Sequence, residues 1–183
     1  MKKYQIIYAD PPWQFNNKNT GGGLNSGSAN KYDVMKIKDI CALPINKITD
    51  TNCILFMWWV GAMPEEAIQV YKAWGFQIKN MNGHVWVKLT KTGKKYFGMG
   101  FWTRAGSESL LIATKGKIRP IVHNIRAVQE HINEGHSKKP NTFRELIVEL
   151  MGDLPRIELF AREKTEGWDV WGNDVISDIN LTN

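Results

Sequence analysis

The sequence is poor in cysteine and histidine and has no long uninterrupted apolar segment. Its two cysteines, Cys41 and Cys53, match no metal-site or redox spacing and lie among apolar residues, which predicts buried free thiols in a reducing compartment. The four histidines fit no standard ligand pattern, so we expect no bound metal. The longest apolar run, from Cys53 to Met63, is too short to cross a bilayer. These features exclude a disulfide-stabilised secreted domain, a metalloenzyme of familiar pattern and a membrane-spanning protein.

Composition and charge describe a basic globular protein. Of the 183 residues, 43% are hydrophobic and 11% aromatic, which is enough to form a substantial core. No internal repeat or linker divides the chain, which predicts one domain over residues 1–176 followed by a C-terminal tail at residues 177–183. The 24 Lys and Arg residues outnumber the 18 Asp and Glu residues, and the net charge of +6 favours a polyanionic partner. The sequence contains no secretory segment, so we expect a cytoplasmic protein.

Apolar segments alternate between strand-like and helix-like patterns along the chain. The predicted strands are 4–9, 53–59, 85–89, 108–113 and 156–161, and the predicted helices are 36–43, 64–74 and 140–151. This alternation predicts an α/β fold with a mainly parallel sheet and helices on both faces. Such sheets bind ligands at the carboxyl ends of their strands, where Asp10 and Arg162 lie. Residues 16–30, rich in Asn, Gly and Ser, are predicted to form a mobile loop.

Four consecutive residues, Asp10-Pro11-Pro12-Trp13, directly follow the first predicted strand. An aryl amine is a poor nucleophile because its nitrogen lone pair is delocalised into the ring. Acceptors that bind the amine hydrogens favour a more pyramidal, nucleophilic nitrogen, and the Asp10 carboxylate and the Pro11 carbonyl provide such a pair. The prolines fix the turn in advance, and Trp13 offers a flat face on which a base can stack. An ordinary turn beside a core tryptophan is the alternative, and the position after a buried strand favours the catalytic interpretation.

Around this corner the sequence resembles the MT-A70 family, which includes the catalytic subunit of the eukaryotic mRNA N6-adenosine methyltransferase and many bacterial and phage enzymes. The likeness extends over nearly the whole chain in the family's order. It is carried by the blocks 10–13 (DPPW), 32–35 (YDVM), 54–76, 84–88 (HVWVK), 106–117 (GSESLLIATKGK), 137–140 (SKKP), 157–162 (IELFAR) and 171–173 (WGN). Separate blocks in a fixed order are hard to produce by chance, so the resemblance is specific.

The resemblance implies a Rossmann-like methyltransferase fold in permuted order, with the catalytic corner first and the cofactor strand last. It implies S-adenosyl-L-methionine as the cofactor, bound by the residues that match the family's motifs: Lys139, Glu158, Arg162 and Asn173. Glu158 suits the ribose hydroxyls, and Lys139 and Arg162 suit the methionine carboxylate. Phe160 is expected to line the adenine end of the cofactor, and Asp10 is expected to lie beside the methyl group.

The segment from residue 90 to residue 106 interleaves cations with aromatic residues. This pattern is expected where phosphate contacts combine with base stacking, and a solvated lysine-rich hairpin is the alternative. Trp58 and Trp59 point to opposite faces of their strand, so at most one of them reaches the substrate. The residues that we assign to substrate binding are Trp13, Tyr32, Trp58, Lys95, Trp102 and Arg104.

These features predict an S-adenosylmethionine-dependent methyltransferase that acts on the N6 amine of adenine in DNA by direct in-line transfer. An RNA N6-adenosine methyltransferase is the runner-up, because the two activities share their chemistry. A catalytically silent nucleic-acid-binding subunit and a cytosine-amine methyltransferase are further alternatives, and the intact Asp10 corner argues against the silent subunit. The expected partner is DNA, with RNA as the alternative and a homo- or hetero-oligomer left open. The expected setting is the cytoplasm of a bacterium or of a phage-infected host cell.

Overall fold

The computed structural model describes residues 2–14, 34–100, 102–135 and 138–181. The predicted loop at residues 16–30 and the predicted substrate residue Tyr32 lie outside these ranges. The strands are β1 (Tyr4–Ala9), β2 (Thr49–Trp59), β3 (Gln77–Leu89), β4 (Ser107–Lys115), β5 (Val128–Ile132), β6 (Arg156–Leu159) and β7 (Asp169–Trp171). The helices are α1 (Ile37–Ala42), α2 (Pro64–Ala73) and α3 (Thr142–Met151), with a 3-10 turn at Ile45–Lys47.

These seven strands form one sheet in the order β5-β3-β4-β2-β1-β6-β7. Neighbouring strands pair in parallel except around β4, which runs antiparallel to both β2 and β3. Six strands therefore point the same way and one is reversed, which confirms the predicted α/β fold with a mainly parallel sheet. β1 is an interior strand: Tyr8 pairs with Phe56 of β2 on one side and with Glu158 of β6 on the other. The carboxyl ends of the six strands and the amino end of β4 meet at one edge, which we call the carboxyl edge.

The central strands alternate their side chains between two buried faces, as expected for a sheet covered on both sides. On one face, Ile7 and Leu55 pack in a cluster with residues of α1 and α2. On the other face, Tyr8, Phe56 and Trp58 pack in a cluster with residues of α3. The prediction of helices on both faces is therefore confirmed.

Helix α3 is amphipathic and carries one buried cation. Its buried residues, Phe143, Arg144, Ile147 and Met151, follow helical spacing and face the sheet. The helix ends at Gly152, whose φ of +83° is a conformation that glycine adopts without strain. A charged side chain on the buried face needs a partner there, and the partner of Arg144 belongs to the candidate site described below.

Two strands have no counterpart among the predicted elements, and one predicted strand is shorter than expected. β5 is an edge strand whose residues alternate between exposed and half-buried, and β7 is three residues long, so neither carries an apolar run. β2 and β3 begin earlier than predicted, because their polar first residues also pair with neighbouring strands. β6 ends at Leu159, because Phe160 has a φ of +61° and leaves the extended region.

Residues 177–181, which the sequence predicts as part of a tail, pack against the domain. The Asp178 carboxylate accepts a hydrogen bond from the Val170 N–H at 2.9 Å. The Ser177 hydroxyl accepts one from the Gly172 N–H at 3.2 Å. Leu181 is only 2% exposed and belongs to the core cluster on the α1 and α2 face. These contacts join the segment to β7 and to the core.

The structure also bears on the cysteines, on membrane-spanning helices and on metal binding. Both cysteines are free, and burial raises the pKa of the Cys53 thiol to about 12. None of the helices within the described ranges is long and apolar enough to span a bilayer. In the same ranges, no three His, Cys, Asp or Glu side chains lie close enough together to hold a metal ion.

Candidate active site

The Asp-Pro-Pro-Trp corner, residues 10–13, lies at the carboxyl edge directly after the interior strand β1. The Pro11 carbonyl accepts a hydrogen bond from the Trp13 N–H at 2.8 Å. The Pro12 carbonyl accepts one from the Met35 N–H at 3.0 Å. Because the prolines have no N–H of their own, the chain leaves the sheet here. The corner is thus fixed through the carbonyl groups of both prolines.

Trp13 and Trp58 are core residues on opposite faces of the sheet. Trp13 is 7% exposed, and its indole Nε1 donates to the Trp58 carbonyl at 3.1 Å. Trp58 is 1% exposed, donates to the Tyr8 hydroxyl at 2.7 Å and packs edge-on against Phe143 with ring centroids 4.9 Å apart. The Lys139 ammonium lies 5.3 Å from the centroid of the Trp58 ring. Contact of either tryptophan with substrate stays a prediction.

Four charged side chains of alternating sign form a connected group at the carboxyl edge, which we call the charge cluster. Lys139 Nζ lies 2.7 Å from Asp10 Oδ2 and 3.2 Å from Glu108 Oε2. The other carboxylate oxygen of Glu108, Oε1, is paired with Lys88 Nζ. Lys139 is 9% exposed, so its charge is largely removed from water and depends on these two carboxylates. The cluster links the corner after β1 to the ends of β3 and β4.

Opposing effects set the protonation of the charge cluster. Burial alone lowers the pKa of Lys139, but the adjacent Asp10 and Glu108 carboxylates outweigh it and raise that pKa above its ordinary value. Burial alone raises the pKa of Glu108, but the Lys139 and Lys88 ammonium groups outweigh it and lower that pKa. Both residues are therefore charged at neutral pH. This keeps a cation beside Asp10.

The hydrogen-bond capacity of the cluster is only partly used. An ammonium group has three N–H donors, and Lys139 directs two of them to Asp10 and Glu108. The described residues occupy Oδ2 of Asp10 but not Oδ1. The Pro11 carbonyl accepts the Trp13 N–H and retains a second lone pair. Among the described residues, one N–H of Lys139, Oδ1 of Asp10 and one lone pair of the Pro11 carbonyl thus have no partner.

Glu158 forms a second buried pair, with Arg144 of α3. Arg144 Nε donates to Glu158 Oε2 and Arg144 Nη2 donates to Glu158 Oε1, both at 2.7 Å. Arg144 also donates to Asn141 Oδ1 at 2.7 Å, and its guanidinium lies 5.6 Å from the centroid of the Tyr8 ring. Burial raises the pKa of Glu158, and the guanidinium opposes that rise. The predicted ribose contact of Glu158 stays a prediction, and it must use lone pairs that the bidentate pair leaves over.

The residues at the ends of β6 and β7 are in direct contact. The Phe160 ring lies edge-on against Trp171, with centroids 5.4 Å apart, and the Ala161 N–H donates to the Trp171 carbonyl at 3.0 Å. A Cβ on Gly172 would lie 2.3 Å from the Ala161 carbonyl oxygen, so only glycine permits this approach. Phe160 holds its positive φ at a cost of about 1–2 kcal/mol. The result is an apolar ring, half-buried at the carboxyl edge, next to the strand that leads to Asp10.

The remaining predicted residues are exposed. Arg162 and Asn173, which follow β6 and β7 at the carboxyl edge, are exposed. Lys95, Trp102 and Arg104 are exposed on the segment between β3 and β4. Two of the predicted cofactor residues, Lys139 and Glu158, are instead buried and engaged.

The charge cluster contains residues that sequence reasoning missed. Glu108 holds Lys139 and is itself paired with Lys88, and outside the cluster Arg144 holds Glu158. A signal for two of them exists in the sequence, since Glu108 begins a strongly apolar strand and Arg144 lies on the apolar face of an amphipathic helix. Charged residues at such positions are rarely buried without a partner. Their partners lie far along the chain, so the sequence does not reveal them.

The fold, a mainly parallel sheet with helices on both faces, belongs to the α/β class whose ligands generally bind at the carboxyl edge of the sheet. Comparison with known proteins is more specific. The family model MT-A70 matches residues 4–174. A type II methyltransferase, M.MunI of Mycoplasma sp, is 35% identical over 191 residues, which cover 95% of this chain and 78% of that protein.

More distant relatives are longer proteins. The human N(6)-adenine-specific methyltransferase METTL4 is 27% identical over 96% of this chain, which corresponds to 38% of its own length. The human N(6)-adenosine-methyltransferase catalytic subunit METTL3 is 23% identical over 94% of this chain, or 28% of its own length. The chain belongs to the MT-A70 family of N6-adenine methyltransferases, which use S-adenosylmethionine.

Proposed function

We propose that this chain methylates the N6 amine of adenine in DNA, with the corner at residues 10–13 as its catalytic centre. The observation that carries the proposal is the pair of adjacent acceptors at Asp10 and Pro11. Each is already fixed by one donor, Lys139 for the carboxylate and Trp13 for the carbonyl, and each keeps capacity for another. Acceptors that need no reorganisation are the kind of groups that stabilise a transition state most effectively.

The chemistry assigned to this pair concerns the two hydrogens of the adenine amine. Asp10 and the Pro11 carbonyl each accept one of them, so the nitrogen becomes more pyramidal and its lone pair is less delocalised into the ring. Lys139 fixes the orientation of the Asp10 carboxylate through Oδ2, and Glu108 fixes Lys139. Trp13 is positioned by its bond to the Trp58 carbonyl and is the proposed stacking surface for the base.

The residues at the carboxyl edge fit S-adenosylmethionine, which supplies an electrophilic methyl group on a sulfonium centre when bound. Lys139 has one N–H left for the methionine carboxylate, and Arg162 offers a second cation. Phe160 provides an apolar ring for the adenine of the cofactor. Glu158 and Asn173 are the proposed polar contacts to the cofactor. Glu158 would make its contact through the lone pairs that Arg144 leaves unused. Gly172 has no Cβ where it approaches the Ala161 carbonyl between these residues.

DNA is favoured over RNA by the more complete match to the type II methyltransferase, at 35% identity and 78% of its length. RNA is the second candidate, because the N6-methyladenosine RNA methyltransferase MTA1 of Pyricularia oryzae is 24% identical over 94% of this chain. The two candidates share the amine chemistry and differ in how the nucleic acid is held.

The test is transfer of tritium from labelled S-adenosylmethionine to matched single-stranded DNA, duplex DNA and RNA, followed by nucleoside mass spectrometry. We expect label in N6-methyladenine from DNA, and a loss on the order of 100-fold or more in rate for Asp10→Ala. Asp39→Ala, which removes an exposed carboxylate in the first turn of α1, is the matched control and should remain active.

Other outcomes identify the alternatives. Label in RNA alone favours the RNA methyltransferase, and label in methylcytosine favours the cytosine-amine enzyme. Cofactor binding in a calorimeter without transfer to any substrate favours the silent subunit. A nearly active Asp10→Ala protein contradicts the mechanism.

A further inference from the structure

A hairpin arm extends from the carboxyl edge between β3 and β4. Its described part comprises residues 90–100 and 102–106, and we call it the aromatic arm. It is held by backbone hydrogen bonds, including Tyr96 N–H to the Lys88 carbonyl at 2.8 Å and Gly98 N–H to the Ala105 carbonyl at 2.7 Å. A Cβ on Gly100 would lie 2.4 Å from the Thr103 carbonyl oxygen, so the end of the arm folds back tightly. The described part of the arm is therefore a hydrogen-bonded hairpin.

The aromatic arm exposes large apolar side chains. Phe97 is 77% exposed and Met99 is 68% exposed, while Trp102 is fully exposed. Trp102 also has a φ of +62°, a backbone conformation that residues other than glycine rarely adopt. An exposed tryptophan held in a strained backbone without covering side chains is a feature found at sites that contact a ligand.

The positive charge of the aromatic arm indicates a polyanionic partner. Lys91, Lys94, Lys95 and Arg104 are exposed on it, and no Asp or Glu occurs between residues 90 and 106. The Arg104 guanidinium lies 5.3 Å from the centroid of the Phe97 ring, so cation and aromatic surfaces are interleaved. Exposed cations around aromatic rings fit a phosphate backbone with stacked bases. A second copy of this chain would bring a second set of cations to the same contact, which like-charge repulsion opposes.

The aromatic arm begins beside the proposed catalytic centre. Its last residues lead into Ser107 and Glu108 at the amino end of β4. Glu108 is bound to Lys139, and Lys139 is bound to Asp10. A nucleic acid that presents an adenine to Asp10 therefore passes the base of the arm.

We propose that Trp102 inserts into the base stack of duplex DNA next to the target adenine and fills the space that the extruded base leaves. This inference rests on the proposed function and makes duplex DNA the substrate. Catalysis on a base in a duplex requires that the base leave the stack, which costs unpairing and unstacking energy. Apolar side chains inserted at a base step offset part of that cost. The surrounding lysines and Arg104 contact the phosphates on either side.

The experiment compares kcat/KM of the wild-type protein and Trp102→Ala, after the modified site has been mapped on unmethylated plasmid DNA. Three oligonucleotides carry that site: a matched duplex, a duplex with an abasic position opposite the target adenine, and a single strand. We expect Trp102→Ala to lose about 10- to 100-fold on the matched duplex, the range for one base stack. On the two substrates with an unpaired adenine we expect a loss within about 3-fold, because insertion is no longer needed. The kcat/KM of Trp102→Phe on the matched duplex should lie between those of the wild type and Trp102→Ala.

A binding measurement reports the same event without turnover. With 2-aminopurine at the target position of the matched duplex, the wild-type protein should increase fluorescence on binding, and Trp102→Ala should not. Ile176→Ala is the matched control, since Ile176 is 93% exposed and lies outside the aromatic arm. It should behave as the wild type in every assay.

Four results would overturn the inference. They are full activity of Trp102→Ala on the matched duplex, an equal loss on all three oligonucleotides, wild-type activity confined to single strands, and a wild-type dimer that Trp102→Ala converts to a monomer. Failure of the proposed function is distinguishable, because the wild-type protein then transfers no label to any DNA.

Discussion

Replacing Arg144 by methionine tests how strongly Glu158 depends on its buried partner. Both carboxylate oxygens of Glu158 accept hydrogen bonds from the guanidinium at 2.7 Å, and the two residues are only 5% and 7% exposed. Methionine replaces the aliphatic part of the arginine side chain and carries no charge, so Arg144→Met leaves a carboxylate between the sheet and α3 with no counter-charge at this position. Removing one partner of such a pair typically costs about 3–5 kcal/mol.

That cost predicts a large change in thermal stability. In a domain of this size each kcal/mol lowers Tm by about 2–4 °C, so we expect Arg144→Met to melt roughly 6–20 °C below the wild type. The double variant Arg144→Met with Glu158→Leu removes both charges and should recover most of the loss, because an apolar pair of similar volume is often as stable as a buried ion pair. Urea unfolding of all four proteins gives the interaction free energy of the pair.

The pH dependence of unfolding separates a charge effect from a packing defect. Burial already raises the pKa of Glu158, and loss of the guanidinium raises it further. A carboxyl group whose pKa is higher in the folded than in the unfolded state binds protons more tightly when folded, so its penalty is largest above the folded pKa and decreases as pH falls. The difference in unfolding free energy between Arg144→Met and wild type should therefore be smaller at pH 5 than at pH 7.5. A difference independent of pH, or a double variant as unstable as Arg144→Met, would refute this reasoning.

Two further predictions concern the charge cluster and the C-terminal segment. Glu108→Gln removes the carboxylate charge that its two lysine partners share, so we expect about a 10- to 100-fold lower single-turnover rate of tritium transfer, in line with the loss of a charged hydrogen bond. An unchanged rate would show that Glu108 does not position the site. Leu181→Ala should lower the free energy of unfolding by about 2–5 kcal/mol in urea titration, because the side chain is 2% exposed. Ile176→Ala, 93% exposed, serves as the control and should stay within about 0.5 kcal/mol of the wild type.

The fold was predictable wherever apolar residues dominate. β1 has the predicted bounds, and α2 and α3 begin and end within two residues of the predicted ones, because their patterns match a buried strand and amphipathic helices. β5 and β7 were not predictable, since one is a polar edge strand and the other has only three residues. The reversal of β4 also has no local signal, because strand direction is decided by the partners and not by composition.

The site was predictable as a set of residue types but not as a network. The position of the corner after β1 follows from the apolar strand and the two prolines, and the structure places it at the carboxyl edge. The pairing of Lys139 with Glu108 joins residues from distant segments, and nothing in either segment specifies the other. The role of Trp58 was not predictable either. An aromatic residue in a strand near the site has the same local sequence pattern whether its side chain faces a ligand or the core. The structure places it in the core at 1% exposure.

The pairing of β1 with β6 also determines when the candidate site is assembled. Ile7 pairs with Ile157, which follows it by 150 positions in the chain. At about 5–20 residues per second, a ribosome takes roughly 8–30 s to add that stretch. Until then the corner after β1 has β2 beside it but not the end of β6, and Lys139 is added only 18 residues before Ile157. The nascent chain therefore completes its candidate active site last, and an interrupted translation product that ends before Lys139 carries the corner without the lysine that holds Asp10 and without β6.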